Sequence, residues 1–331
     1  MTHLESVPRI LAAVQVDARK AHVVGDFKEL GKRLSNWGRW GADDQRGTLN
    51  FITPAHVVRA SSSIRSGKVF ELSLPLESNG PQQGTGRRFN PIHAMTVMPG
   101  EFSSPDGVII ADDMLTLTLQ CASQWDSLAH VGYDDRFYND VIASRAITAR
   151  SGASRNSIDQ ALPGAVGRGV LLDIARSRGV EWIKADDEAI GVADLERAET
   201  EQGVTVGTGD ALLVRTGWRR KSVVEGWSAE WMAANPGLAL ECAEWLCERE
   251  VATVASDNWG VEVQPSRTEG ALFPLHCVLL RDAGMMFGEM FDLEALADDC
   301  AADGQWDFFF SGPPLRVTGA VGSPANPVAI K

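Results

Sequence analysis

Two short stretches of this chain bring acid–base and metal-ligating side chains close together. The first is Gln120-Cys-Ala-Ser-Gln124-Trp-Asp126-Ser-Leu-Ala-His130. In extended backbone successive side chains point to opposite faces, so Gln120, Gln124 and Asp126 share one face and His130 can fold back over it. A carboxylate, two amide oxygens and an imidazole converging on one point make a metal shell with an acid/base beside it. The plainer reading is a polar strand end closed by a capping aspartate. The second stretch runs from His276 to Glu289. An apolar strand is expected after His276, Gly284 permits a turn, and Glu289 precedes a short helix, so the histidine and the glutamate can both reach one ion. A third stretch, Ser256 to Glu262, crowds polar groups at a strand end. There Asp257 supports a ligand, lines a pocket or simply closes a turn.

The elements that must position these groups alternate between strand and helix. Thr53-Pro54 opens a helix, with the hydroxyl as N-cap and proline in the first turn, and Gly67 is expected to close it. Val69 to Leu76 reads as a strand, and residues 77–107 as a long loop rich in Gly, Pro, Asn and Ser. Met114 to Leu119 (MLTLTL) alternates as a half-buried strand should and leads into the first polar stretch. Val170 to Arg176 reads as helical. Val192 to Gln202 is a helix stopped by Gly203, and Asp210 to Thr216 is a buried strand. Asn235-Pro236 is expected to cap a helix with Leu238, Cys242, Trp245 and Leu246 on one stripe. Val251 to Ala255 is a short core strand. This order predicts an α/β fold in a single compact domain, residues 36–331, behind an N-terminal arm, residues 1–35.

Composition narrows the function classes. The 331 residues are 44% hydrophobic and carry a formal net charge of −13, enough to bury a core and the wrong sign for nucleic acid or anionic membranes. Five cysteines without a CxxC pair fit reduced thiols in a cytoplasmic protein better than a disulfide framework. The first twenty residues hold only a short apolar run flanked by Glu5 and Asp17, and no stretch reaches membrane-spanning length. No GxSxG elbow and no phosphate-binding GxxxxGK[ST] occurs. Of six histidines, His93, His130 and His276 sit at loop or strand ends. Among ten tryptophans, Trp125, Trp218 and Trp259 lie near the polar stretches and could build an aromatic slot, although core packing accounts for most tryptophans.

Taken together, the stretches resemble the cyclase family of metal-dependent hydrolases, which includes arylformamidase (kynurenine formamidase) and isatin hydrolase. The resemblance spans roughly residues 36 to 330. It takes in Asn36-Trp37-Gly38 with Asp43-Asp44-Gln45-Arg46-Gly47-Thr48-Leu49-Asn50, then Gly209 to Trp218, then His276 to Glu289. The family's motif His-x-Gly-Thr-His-x-Asp-x-Pro-x-His is matched here by Gln120-x-Ala122-Ser123-Gln124-x-Asp126-x-Leu128-x-His130. Both leading histidines are glutamines in this chain, while the aspartate and the last histidine are kept.

Carried over position by position, the resemblance implies that Asp126, His276 and Glu289 hold a divalent ion, Mn²⁺ or Zn²⁺, and that His130 is the acid/base. It further implies a swivelling β/β/α type of fold and a homodimer or higher homo-oligomer. With the two histidines replaced, one ion per chain is expected. Gln120 and Gln124 then bind substrate, ligate the ion weakly through oxygen, or only satisfy backbone groups. His93, Trp125, Asp257 and Trp259 are the expected substrate-binding residues. The reaction expected is hydrolysis of an amide, cyclic amide or lactone in a small substrate, aromatic ones included, by metal-activated water with His130 as acid/base. Two rivals stand beside it: a lyase or cyclase using Asp126 and His130 without hydrolysis, and an inactive small-molecule-binding homologue.

Overall fold

The computed structural model describes residues 27–331 apart from 85, 102, 103 and 188. At its centre lie four parallel strands in the order Ala165–Asp173, Ala211–Arg215, Thr253–Ser256 and Met286–Glu289. On one flank Asp307–Gly312, Val328–Ile330 and Val69–Glu71 extend the sheet antiparallel. On the other, Gln124–Asp126 pairs antiparallel with Met286–Glu289 and is followed by Gly322–Pro324.

The central strands are rich in apolar residues and largely buried because both faces are covered, with the charged residues Asp173, Arg215 and Glu289 at their C-terminal ends. Val170, Leu172, Leu212, Val214, Val254 and Phe287 face one core cluster, completed by Leu195, Leu246 and Leu279 from the connecting segments. Leu171, Leu213, Ala255 and Met286 face the other, with Trp125, Phe291, Phe308 and Phe310. The result is the expected α/β architecture in one domain. Among the described residues no helix is long and apolar enough to cross a membrane.

Several elements depart from the sequence reading. Residues 170–173 belong to a strand, and only Ile174–Ser177 turns helical, because a short apolar run does not by itself distinguish buried strand from buried helix. The helix opened by Thr53 ends at Ala60 and continues as a tighter turn over Ser61–Ser63, short of Gly67. The strand at Val69 stops at Glu71, and the helix expected from Asn235 begins only at Cys242. Asn235 is instead tied by its backbone to Gln264. The alternating 114–119 stretch does not join the main sheet. Asp112–Thr116 pairs with Ile92–Val97 in a separate ribbon, where Met114 and Leu115 are 49% and 43% exposed. Of the expected arm, residues 1–26 lie outside the described residues, and Phe27–Leu34 is a helix with Leu30 and Gly31 buried.

The segment after His276 is not a strand either. Pro274–His276 begins a short helix that widens into a π-helical turn over Cys277–Ala283 and ends at Gly284 in the left-handed conformation. The 36–50 segment clamps this connection. Asn36 donates from its backbone to Asp282 O and from its side chain to Ala283 O, and Trp37 Nε1 donates to Arg281 O. Thr48 N donates to Gly284 O at 2.8 Å. A Cβ on Gly47 would lie 1.9 Å from that same carbonyl oxygen, and Gly47 also has φ +56°, so only glycine fits this contact. The opening motif therefore fixes the turn that joins His276 to Glu289.

Candidate metal centre

Asp126 and Glu289 come from adjacent antiparallel strands whose register sets Phe287 opposite Asp126 and Glu289 opposite Gln124. Alternation turns Gln124 and Asp126 to one face and sends Trp125 to the other. His276 enters from the helix end above them. One donor atom from each of Asp126, His276 and Glu289 lies within 4.8 Å of the others, and all three residues are buried. His276 Nε2 is 3.3 Å from Glu289 Oε1 and 3.9 Å from Asp126 Oδ2.

Asp126 Oδ2 is buried and has no hydrogen-bond partner. A buried carboxylate oxygen left without a donor is costly, and a cation at this point would remove the cost. The mixed nitrogen and oxygen donor set suits Mn²⁺ or Zn²⁺. Burial and the neighbouring Glu289 charge push the Asp126 carboxyl up to about 6. Burial opposes a charge on His276, but hydrogen bonds to Glu262 and Glu289 outweigh it and push the imidazole up to about 10. The residues present therefore fit a divalent ion.

Gln124 is part of this centre. Its Nε2 donates to Glu289 Oε2 at 2.5 Å and to Asp126 Oδ1 at 3.2 Å, so the amide bridges both carboxylates through its nitrogen. The amide thus donates to the two candidate ligand carboxylates, while its Oε1 is buried without a partner. Gln120 lies at the sheet edge, where its Nε2 approaches the backbone of Gly322.

His130 Nε2 is 3.7 Å from Asp126 Oδ2 and 3.5 Å from Arg88 Nη2. Burial lowers its pKa most, Asp126 raises it, and the Arg88 and His276 charges lower it further, with a net downward shift. A histidine held neutral beside a carboxylate is poised to accept a proton.

Two residues of the centre escaped sequence reading. Glu262 accepts hydrogen bonds from His276 Nδ1, from His276 N at 2.9 Å and from Leu275 N at 3.2 Å. It fixes which imidazole nitrogen faces the site, as carboxylates behind metal-bound histidines commonly do. Glu262→Gln is expected to weaken Zn²⁺ or Mn²⁺ binding about 10–100-fold, read by competition with a chromogenic chelator. Unchanged affinity would remove Glu262 from this role. The only signal in the sequence was its place at the end of the polar 256–262 stretch. Arg88, in the loop after Leu76, carried no signal at all.

The other expected substrate-binding residues divide. Trp259 stays near the centre, its ring 5.0 Å from the Arg88 guanidinium carbon, and a Cβ on its neighbour Gly260 would lie 3.8 Å from Glu289 Oε1. Trp125 does not line the site. It is buried in the core with edge-on contacts to Phe291 and Phe310, and a Cβ on the paired Gly288 would collide with its ring at 2.9 Å. Asp257 ties the ends of two adjacent strands together: its Oδ1 accepts from Thr216 N and Oγ1, at 2.8 and 2.7 Å, while its Oδ2 is buried without a partner. His93 is paired with Asp113 on the exposed ribbon, and both side chains are more than half exposed. Trp218 stacks on Trp231 with reciprocal indole-to-carbonyl hydrogen bonds, again a packing role.

Comparison with known proteins bears on this arrangement. No match was found among curated proteins. A crystal structure of a novel cyclase is 37% identical, covering 91% of this chain and 99% of its own, with a TM-score of 0.83. Isatin hydrolase A from Ralstonia solanacearum is 20% identical over 84% of this chain and 97% of its own, with a TM-score of 0.58. Isatin hydrolase A from Labrenzia aggregata, bound to benzyl benzoate, is 16% identical over 82% and 94%, also with a TM-score of 0.58. At these last two identities the likeness is one of fold. The family model described as Putative cyclase matches residues 70–263, more than half of the chain, and ends before His276 and Glu289. With that match and the 37% identical structure, the chain belongs to this cyclase family.

Proposed function

We propose that the protein is a metal-dependent hydrolase that opens an amide, cyclic amide or lactone bond in a small molecule. The observation that carries this reading is the buried Asp126, His276 and Glu289 set, with its partnerless Asp126 Oδ2, next to a His130 held neutral. A divalent ion in such a set lowers the pKa of water and polarises a carbonyl. Glu262 orients His276, and Gln124 holds the Asp126 and Glu289 carboxylates together through its amide nitrogen. His130 takes a proton from the attacking water and returns it to the leaving nitrogen or oxygen.

One ion per chain is the expected count. The Gln124 amide nitrogen already occupies the space between the two carboxylates, where a second cation would have to compete with it. The test is turnover of a panel of cyclic amides, lactones and aryl formamides in ¹⁸O-labelled water, with elemental analysis of the same sample. One ion per chain and one labelled oxygen in the product are expected. Product without label would point to the lyase reading, and two fully occupied ions would overturn the role given to Gln124.

A further inference from the structure

Residues 80–84 and 86–90 are held so that one side chain, Arg88, turns toward His130. Gln82 Nε2 donates to Cys121 O at 3.0 Å, and Gln82 N donates to Asn90 Oδ1 at 2.9 Å. Asn90 Nδ2 returns hydrogen bonds to Gly80 O and Gln82 O. Thr118 Oγ1 pairs with both the N–H and the carbonyl of Phe89. These contacts anchor the chain on either side of Arg88, and its guanidinium lies between His130 and the ring of Trp259.

That guanidinium is incompletely satisfied. Its Nη1 is buried without a hydrogen-bond partner, and so is the indole Nε1 of Trp259 beneath it. Both groups are donors only. Among the described residues no carboxylate pairs with Arg88, although the chain has 44 acidic residues against 31 basic ones. A buried guanidinium N–H that lacks an acceptor is destabilising unless a ligand supplies one, and Arg88 is half-buried with its Nη1 in that position. The partner that matches its planar fork best is a carboxylate.

We propose that Arg88 binds a carboxylate on the substrate, so that the molecules taken are organic acids whose carboxylate sits near the bond to be cleaved, over the face of Trp259. This rests on the hydrolase reading above for the word substrate, but the recognition is a binding property and can be measured without turnover. Arg88 acts on specificity, and the metal ligands remain as assigned.

The probes are benzoate and its neutral counterpart benzamide, titrated calorimetrically into Mn²⁺-loaded and metal-free protein. Wild-type protein is expected to prefer benzoate in both forms. Arg88→Gln is expected to weaken benzoate binding roughly 10–100-fold, as loss of one charge-assisted pair should, while benzamide changes less than about threefold and metal content is unaltered. Arg88→Lys keeps the charge and is expected to recover part of the preference. Equal benzoate affinity in wild-type and Arg88→Gln protein would overturn the proposal, as would a parallel loss for both probes. Absence of ¹⁸O in the product would end the hydrolase reading and leave this binding result standing.

Discussion

Removing the divalent ion is expected to reduce hydrolysis to the uncatalysed background, and Mn²⁺ or Zn²⁺ should restore it. The reason lies in the charges buried together. Asp126, Glu262 and Glu289 surround a single imidazole, and in the absence of a cation that imidazole holds a proton, raised to about 10 by Glu262 and Glu289 against the cost of burial. An ion can take Nε2 only when this proton leaves. Metal binding should therefore release protons, and affinity should fall as pH drops, because a raised pKa means the protonated form competes through neutral pH. Titrating the metal in buffers of different ionisation enthalpy measures the release. Asp126→Asn, which keeps the volume and loses the charge, should lose both metal and activity. Full turnover by a demonstrably metal-free sample would sink the hydrolase reading.

His130→Ala is expected to lower kcat by about 10²–10⁴ with metal content nearly unchanged, the usual cost of losing a general acid/base. The geometry separates the two roles. His130 faces Asp126 Oδ2 at 3.7 Å but lies outside the three residues whose donor atoms can share one ion. Its lowered pKa adds a pH signature. The imidazole is neutral at pH 7 and becomes protonated only below the ordinary histidine value, so the acid limb of the rate profile should lie below pH ~6.5 and vanish in the variant. If the variant instead loses its metal, His130 is a ligand and the assignment is wrong.

The central fold was legible because its signals were local and strong. The run Ala211 to Val214 is apolar and buried, as a core strand should be, and Gly203 ends its helix with φ +64° as expected. The alternating 114–119 stretch misled because alternation reports a two-faced strand without saying which sheet it joins. For the centre itself, period-two alternation placed Gln124 and Asp126 correctly, and the family resemblance linked them to His276 and Glu289. Trp125 was misjudged by proximity in sequence, although the same alternation puts it on the opposite face. Glu262 and Arg88 were not legible, since each acts through a contact far along the chain: Glu262 on a histidine fourteen residues on, and Arg88 on His130, forty-two away.

The pairing of Gln124–Asp126 with Met286–Glu289 makes chain length before the strand a matter of chemistry. Side chains in a strand change face with every residue, so a shift of one position exchanges the two faces wholesale. A single-residue deletion between Leu119 and Gln124 that pulled the strand along by one place would turn Trp125 toward the ion and drive Asp126 into the space between Phe291 and Phe310. Surface loops ordinarily absorb such changes, but residues 121–123 are buried and leave little room to do so. Substitutions around the 120–126 segment are therefore expected to be tolerated better than changes of its length, which a deletion series read by metal content would check.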